Sequence, residues 1–566
     1  MHLTTTRRRP RRTLALATAL AGTVLALSAC SGGGAAGGGG GNTGDGITVF
    51  NGATGNIAEN WNPFTPTALQ PTLGIIHEPL FYYNLASSDA PEPLLGTEFS
   101  WNEDGSQLTV TIREGVEWSD GEPFTTEDVA YNFNLRRETP EFNTSGQTPA
   151  AEAISDTQVV LTFDSPASYT QEANTLGNTP MIPQHVWEAK SDPVTDINAD
   201  PVGTGPYTVG SINAQTYELE ANPTYWGGEP KIPTVRYISL ANADAASSAL
   251  LAGEVDWMSS FFPGFEDLIA SEPDLAWVNT PALTTSLFTC SNAALGCEGP
   301  QTDPAVRQAI YYAVDRDQLN NLAFEKVAEL PSPTLLIPGR DDQWVSGEVE
   351  ATAPSGADVA QATQILEAAG YAKGGDGIYA KGGQRVSLNV QVVSGYSDYI
   401  AAIDAMTQQL AAAGIELTSS QVAYNEWSAN QQNGTFQLSM DSIGLGASTD
   451  PYFTYQPRYA TESTVPVGES AGALNNARYS NPVVDAAVAA AGSTDDDAVK
   501  AEQYAIIQKE IARDMPYIPL VISSTLTEFN TSRATGWPTE DDLYAFPATW
   551  KAWDNGIVLK NLKPAN

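Results

Sequence analysis

A serine flanked by glycines is the closest approach to a catalytic motif in this sequence. Gly468-Glu469-Ser470-Ala471-Gly472 has the form Gly-x-Ser-x-Gly, which in hydrolases places a nucleophilic serine between a strand and a helix. That serine needs a later acid and histidine, but the three histidines, His2, His77 and His185, all precede it. We therefore predict a flexible loop and no enzyme activity, with a secreted serine hydrolase as a distant alternative.

The other chemistry-bearing residues form no cofactor motif. The sequence lacks a His-Glu-x-x-His helix, a Gly-x-x-x-x-Gly-Lys phosphate loop and a dinucleotide fingerprint, so we predict no cofactor and no metal site. Cys290 and Cys297 bracket a short glycine-containing loop, and two thiols without a nearby histidine make a poor zinc site. In an oxidising compartment this spacing predicts a disulfide with a local structural role.

The N-terminal segment predicts export and lipidation. Five arginines precede an apolar or small run from Thr13 to Leu27, which is shorter than the roughly 20 residues that a spanning helix needs. Leu27-Ser28-Ala29-Cys30 resembles the bacterial lipobox, so we expect residues 1–29 to be a signal peptide and Cys30 to carry the lipid. The glycine-rich residues 30–46 would then tether the protein to the outer face of the cytoplasmic membrane. An ordinary cleaved signal with an incidental cysteine is the alternative.

The acidic balance of the chain excludes one class of partner. The formal net charge is −40, and removal of the five arginines of the signal would take it to −45. Nucleic-acid binding requires a basic surface that releases counterions, so we predict no nucleic-acid partner. Anionic lipid headgroups would also be repelled, which leaves the lipid as the only membrane attachment. We attribute the acidity to solubility, and it says little about ligand charge.

Strands and helices alternate along the chain without an obvious repeat. From about Ile47 to Asn566 the chain is too long for one core and should divide into two or three. Strand-like runs occur at 47–50, 108–112, 159–163 and 386–393. Apolar residues at helical spacing predict three helices: one that begins after Asp303-Pro304, one that ends at Gly414, and one that runs from Tyr504 to just before Pro516. These patterns predict an α/β or α+β protein with several lobes.

A set of short motifs runs in order through nearly all of the chain after the tether. The most specific stretch is Arg113-Glu-Gly-Val-Glu-Trp-Ser-Asp-Gly-Glu-Pro-Phe124, followed by Thr126-Glu127-Asp128-Val129. The others span 78–84, 101–106, 203–207, 222–226, 253–256, 306–310, 313–316 and 516–520. Together they resemble the bacterial extracellular solute-binding proteins of family 5.

The resemblance implies an architecture and a set of partners. The fold would be α/β and two-lobed, of the periplasmic-binding-protein type (class II), with an extra domain inserted in lobe I. Lobe I would comprise residues 47–89, 201–285 and 523–566, the inserted subdomain residues 90–200, and lobe II residues 286–522. A small ligand would bind between the lobes of a monomer, closure would bury it, and the protein would deliver it to the permease subunits of an ABC importer.

Most of the motif residues are expected to have structural roles. Asp104-Gly105 and Asp120-Gly121 are turn dipeptides. Gly203 to Pro206 is predicted to be a sharp turn in which glycine allows a positive φ. Asp315-Arg316 is predicted to end its helix with a surface ion pair.

The ligand class depends on one missing carboxylate. In the dipeptide and oligopeptide binders of this family, an aspartate three residues before an Asp-Pro or Glu-Pro pair meets the α-ammonium of the peptide. Here the pair is Asp450-Pro451, Ala447 stands at the anchor position, and Gly444 replaces an expected tryptophan. A buried ammonium without a countercharge is costly, so free peptides would lose affinity unless another acid substitutes. Asp450 and Tyr452 are candidate contacts, although on the resemblance Asp450 organises the loop.

Aromatic residues favour a sugar ligand instead. Trp257 precedes Phe261-Phe262-Pro263 in a stretch similar to family members that bind cello-oligosaccharides. Trp61 follows the first strand, and Trp427 lies near the lobe II side of the cleft by the resemblance. Indole rings stack on sugar rings, but core packing is an equal alternative for all three. Because peptides are the usual cargo in the family that the chain resembles, we expect an oligopeptide or similar ligand, with a β-linked, cello-type oligosaccharide as the alternative.

Overall fold

The computed structural model describes residues 46–142, 147–260, 264–472 and 474–565. The predicted signal peptide, the lipidated Cys30 and the tether up to residue 45 lie outside the described residues, as do Phe261, Phe262 and Pro263. Within the described ranges, no helix has the length and apolar character that crossing a membrane requires.

The strands are short except for two that run through the middle of the molecule, β12 and β19. They are β1 (Ile47–Phe50), β2 (Phe81–Tyr82), β3 (Glu92–Pro93), β4 (Gly96–Trp101), β5 (Gln107–Ile112), β6 (Ala150–Ala153), β7 (Gln158–Thr162), β8 (Tyr207–Ile212), β9 (Thr216–Ala221), β10 (Thr234–Ile238), β11 (Trp257–Met258), β12 (Leu275–Thr289), β13 (Ala372–Lys373), β14 (Tyr379–Lys381), β15 (Gln384–Arg385), β16 (Ser387–Val393), β17 (Glu416–Val422), β18 (Leu438–Ile443), β19 (Tyr517–Asn530), β20 (Ala534–Thr535) and β21 (Lys563–Pro564).

The α-helices are concentrated in the second half of the chain. They are α1 (Thr126–Glu138), α2 (Glu172–Gly177), α3 (Gln184–Trp187), α4 (Ala243–Leu251), α5 (Phe265–Ala270), α6 (Pro304–Ala313), α7 (Arg316–Ala323), α8 (Val359–Ala368), α9 (Ser397–Ala412), α10 (Tyr424–Asn433), α11 (Tyr452–Tyr459), α12 (Pro482–Gly492), α13 (Asp497–Asp514) and α14 (Ala552–Asn561).

One ten-stranded mixed sheet joins the two halves of the fold. Its order is β17-β16-β18-β12-β19-β11-β1-β10-β9-β8, so β12 and β19 lie at its centre. These two strands pair antiparallel from Leu275↔Asn530 to Phe288↔Tyr517, with register shifts between Pro281 and Leu283 and between Thr285 and Ser286. The shifts interrupt the ladder where the strands pass from one half to the other, next to the predicted boundary at 285/286.

Separate hydrophobic cores lie on either side of that passage. One core packs the sheet against α6, α8 and α9 with residues between Leu287 and Val521, and another lies under α11 to α13. A third is built from residues of 47–94, 207–278 and 529–562. The four-stranded sheet β4-β5-β7-β6 has its own core with α1. The fold is therefore α/β and two-lobed, and the exact boundaries of the lobes and of the inserted subdomain stay a prediction.

The local sequence patterns explain several elements. Asp303 caps α6 through a hydrogen bond from the Ala305 amide, with Pro304 in the first turn, as predicted. α9 ends just before Gly414, whose φ of +73° is the left-handed conformation that favours glycine. The turn glycines Gly105 and Gly121 also have positive φ, at 65° and 92°.

Two local predictions were wrong. Gly203 and Gly205 do not adopt a positive φ; a Cβ on either would lie 2.0 Å from a carbonyl oxygen of Ile76 or Ile75, so close backbone contact requires glycine there. Arg316 is not part of a surface ion pair, because it is 1% exposed and donates to the Pro519 carbonyl oxygen. Asp315 begins α7 as its N-cap rather than ending α6.

Candidate functional site

A cleft between the two lobes holds three adjoining cavities. We name them by one lining residue each: the Asp89 cavity of about 500 Å³, the Ala447 cavity of about 210 Å³ and the Asp450 cavity of about 70 Å³. Tyr83 lines both the Asp450 and the Ala447 cavities, and Arg340 at the Asp89 cavity donates to the carbonyl oxygen of Leu85 at the Ala447 cavity. The three cavities therefore lie next to one another.

The Asp450 cavity is lined by residues of the predicted inserted subdomain, 169–173, and of the predicted lobe II, 448–500. Asp450 accepts hydrogen bonds from the amide of Tyr452, at 2.8 Å, and from Lys500 Nζ, at 2.9 Å, and a third from the hydroxyl of Tyr504. Burial and the adjacent carboxylate raise the pKa of Tyr504. Asp450 and Lys500 are each about four-fifths buried. The charge of Asp450 is thus neutralised by the scaffold itself.

The Ala447 cavity has no ammonium-anchoring aspartate at residue 447 and contains a lysine. Lys551 lines it together with Ala447, Tyr82 and Trp553. The Lys551 ammonium lies 5.0 Å from the ring centroid of Phe546, so its nearest described partner is an aromatic face. Burial lowers the pKa of Lys551, and the charge of Arg340 lowers it further.

The carboxylate next to this lysine is already hydrogen-bonded. Asp554 is 3% exposed and accepts from the Tyr82 hydroxyl at 2.5 Å and from the Phe546 amide at 2.9 Å. Burial raises the pKa of Asp554 to about 6, against the opposing effects of these hydrogen bonds and of Lys551. Asp554, which also lines the cavity, is therefore a partial countercharge for Lys551 without forming an ion pair with it.

Like the Asp450 cavity, which Glu172, Asp450 and Asp495 line, the Asp89 cavity has three acidic side chains. Asp89, Glu329 and Glu540 line it, and burial together with Glu540 raises the pKa of Glu329. Its one lining cation, Arg340, forms two hydrogen bonds of 2.6 and 2.7 Å with the carboxylate of buried Asp341. Carboxylates therefore line both cavities that adjoin the Ala447 cavity, which contains Lys551.

Two of the predicted ligand-contacting tryptophans belong to the core. Trp61 is fully buried and packs edge-on against Tyr217. Trp257 is also fully buried, donates to the carbonyl oxygen of Pro547 and contacts Trp537. Neither indole has surface that a ligand can reach in this conformation, and core packing is the alternative that the geometry supports.

The other predicted contacts have mixed placements. Tyr452 lines the Asp450 cavity and is partly exposed. Trp427 in α10 is 7% exposed, packs against Tyr424, and lines none of the three cavities. Its indole N–H has no hydrogen-bond partner within the part of the chain that the structure describes. Contact of Trp427, Asp450 or Tyr452 with ligand stays a prediction.

Sequence reasoning missed the C-terminal contribution to the cleft. Lys551, Trp553 and Asp554 come from the start of α14. The available signal was Trp550-Lys551-Ala552-Trp553, a cation between two tryptophans in an acidic chain. Without a fold, nothing linked this segment to Ala447, which is more than a hundred residues away.

The remaining chemical candidates have structural surroundings. Ser470 lies in a loop, where its hydroxyl donates to Gln432 and accepts from the Gly472 amide. His77 is buried against the Met181 carbonyl oxygen, and His185 bonds to Asp120 at 2.8 Å. Across the described residues, no group of three or more histidine, cysteine or acidic side chains is placed to hold a metal ion. Cys290 and Cys297 form a disulfide with a Cα–Cα distance of 5.4 Å.

Comparison with known proteins defines the class. The family model described as bacterial extracellular solute-binding proteins, family 5 Middle, matches residues 90–464. The chain therefore belongs to this family, as its motifs predicted. Its sequence is 29% identical over 422 residues to Protein XP55 of Streptomyces lividans, covering 73% of each chain. It is 24% identical over 507 residues to the glutathione-binding protein of Salmonella typhimurium, covering 87% of this chain and 92% of that one.

Solved structures share the fold. The periplasmic oligopeptide-binding protein of an oligopeptide ABC transporter from Thermotoga maritima superposes with a TM-score of 0.81 at 24% identity, covering 92% of this chain and all of that one. A mannohexaose-bound crystal structure of the Thermotoga protein gives a TM-score of 0.70 at 24% identity, with 92% and 99% coverage. These similarities confirm the two-lobed fold class.

Proposed function

We propose that this protein is the extracytoplasmic solute-binding lipoprotein of an ABC importer. It captures an oligopeptide or similar small ligand between its lobes, as a monomer, and delivers it to the permease. The observation that carries the proposal is the set of three adjoining cavities, which are lined by residues from the predicted lobe I, the predicted inserted subdomain and the predicted lobe II. A ligand that touches all three parts stabilises the closed arrangement over the open one.

The central strands offer a hinge for this motion. Among the strands that the structure describes, only β12 and β19 run through both halves of the sheet, and their register shifts lie at the crossing. Irregular ladder positions absorb backbone rotation more readily than regular ones because they lack paired hydrogen bonds.

A β-linked, cello-type oligosaccharide is the second candidate ligand. The Ala447 cavity has no carboxylate at the position of the ammonium anchor, and Trp553 lines it. An indole face stacks on a sugar ring whatever the charge of the ligand. The Thermotoga structure with bound mannohexaose shows that this fold accommodates an oligosaccharide.

A thermal-shift screen tests the proposal and separates the two ligands. The mature protein is mixed with di- to hexapeptides and with cello-, xylo- and manno-oligosaccharides, because a ligand that binds only the folded state raises the melting temperature. We expect stabilisation by one class, confirmed by calorimetry. A sugar ligand further requires that Trp553→Ala weaken binding by more than about 1 kcal/mol while Trp553→Phe retains it. No stabilisation by any of these compounds would contradict the proposed ligand classes.

Membrane attachment through Cys30 is a separate part of the proposal. It rests on the basic segment, the apolar run and the lipobox-like Leu-Ser-Ala-Cys of the sequence. Fractionation of cells that express the wild type and Cys30→Ser tests it. The wild type should sediment with membranes and the variant should be released; retention of the variant would rule out the lipid anchor.

A further inference from the structure

We infer that the Ala447 cavity is a carboxylate-binding subsite whose cation is Lys551. The inference rests on the proposed function, since it assumes that the cleft holds the transported solute. The inference goes further than the proposed function because it specifies the chemical class of one group on the solute. The shared chemistry is a carboxylate, which either a peptide C-terminus or a uronic acid of an acidic oligosaccharide can supply.

Lys551 is the cation of the cleft that has no carboxylate partner among the described residues. The other two cleft lysine and arginine side chains have close carboxylate partners: Arg340 is bonded to Asp341, and Lys500 to Asp450. Within the described residues, the Lys551 ammonium has no ion pair and no hydrogen bond, and it faces the rings of Phe546 and Trp550. An ammonium in this setting has donors to offer to a ligand.

Its nearest acid does not replace a ligand carboxylate. Asp554 influences Lys551 through space, but its position is fixed by two hydrogen bonds to one oxygen, Oδ1, from the Tyr82 hydroxyl and the Phe546 amide. Moving Asp554 towards Lys551 would leave the buried Tyr82 hydroxyl without its acceptor, which is unfavourable. The fold therefore holds the countercharge back and keeps the side of Lys551 that faces the cavity available.

The local charge favours a carboxylate over a neutral hydroxyl. Arg340 adds a second positive charge near Lys551 and acts against the Asp554 carboxylate that also lines the cavity. A hydrogen bond between Lys551 and a carboxylate is charge-assisted and stronger than one to a hydroxyl. Partial burial of the lysine strengthens the attraction further, because water screens the pair less there.

Matched ligand pairs test this inference by titration calorimetry. The pairs are tetra-alanine against its C-terminal amide, and tetragalacturonate against its full methyl ester; the neutral member lacks one carboxylate charge in the peptide pair and four in the sugar pair. We expect the acid of one pair to bind at least about tenfold more tightly than its neutral mate, which corresponds to about 1.4 kcal/mol. The pair that shows the difference identifies the source of the carboxylate.

Four variants assign the preference to the cavity. Lys551→Gln should abolish the acid preference, Lys551→Arg should retain most of it, and Lys563→Gln, an exposed lysine outside the cleft, should leave it unchanged. Ala447→Asp should also abolish it, because the new carboxylate lines the same cavity. Thermal melts confirm that each variant is folded before titration.

The outcomes separate the subsite from the function. Equal affinity within each pair, or an acid preference that survives Lys551→Gln, would overturn the carboxylate subsite while leaving solute binding intact. Failure of all four compounds to bind would overturn the subsite; the proposed function would fall only if the wider screen of neutral peptides and sugars also showed no ligand.

Discussion

Asp450 and Lys551 line neighbouring cavities that share Tyr83, yet the fold treats their charges in opposite ways. Asp450 is held by Lys500, Tyr504 and a backbone amide at the start of α11. Lys551 has aromatic rings as its nearest described partners and a countercharge that is bonded elsewhere. A charged residue in a cleft is therefore available to a ligand only when the rest of the protein has not already paired its charge.

The largest expected effect that tests this comparison is on stability. Asp450→Ala removes the acceptor for the Tyr452 amide, the ion-pair partner of partly buried Lys500 and the acceptor for the hydroxyl of fully buried Tyr504. We expect the free energy of unfolding to fall by about 3 kcal/mol, measured by urea denaturation, with ligand affinity within twofold of the wild type. Asp450→Asn, which keeps an acceptor for the amide but not the charge, should lose less. Weaker binding with unchanged stability would instead place Asp450 at the ligand.

Much of the scaffold could be predicted from the sequence, because its signals are local. Asp303-Pro304 marked the start of α6, and the stripe before Gly414 marked α9. The ordered motifs identified the family, and with it the two lobes. Each of these inferences needed only neighbouring residues or a fixed order along the chain.

The site was less predictable because burial and pairing depend on distant segments. Trp61 and Trp257 are tryptophans, the residue type that stacks on sugar rings. In the fold, however, Trp61 packs against Tyr217 and Trp257 packs against Trp537, each from a distant part of the chain. Lys551 joins Ala447 only through the folded cleft. The sequence around Arg316 is likewise typical of a surface segment, yet Arg316 is buried and donates a hydrogen bond to a carbonyl oxygen of β19.

A second test concerns the scaffold side of the comparison. The disulfide between Cys290 and Cys297 closes a short loop beside the lobe II core and lines none of the three cavities. Replacing both cysteines by serine should lower the free energy of unfolding by about 2 kcal/mol, through the entropy of the unfolded chain. Ligand affinity should not change, and a change beyond about threefold would show that the loop influences the cleft.

The smallest expected effect is a pH dependence of binding that sharpens the Lys551 side. Asp554 has a pKa of about 6, so acidification from pH 7.5 to 5 protonates it and removes a negative charge near Lys551. A ligand α-carboxyl, with a pKa of about 3.5, stays ionised over this range. Affinity for a carboxylate ligand should therefore rise about threefold at pH 5, since the change is one partly screened charge. In Asp554→Asn this rise should disappear; a weaker affinity of the wild type at pH 5 would contradict the assignment.

The most direct test of solute binding in the cleft is to fill the Ala447 cavity. Ala447→Trp places an indole into a space of about 210 Å³, whereas Ala411→Trp places one on the exposed face of α9 as a matched control. The measurement is calorimetric affinity for the compound that stabilises the wild type most in the screen. Ligand capture between the lobes predicts a loss of about 100-fold or more in Ala447→Trp, with wild-type affinity in Ala411→Trp. Undiminished binding by folded Ala447→Trp would contradict it.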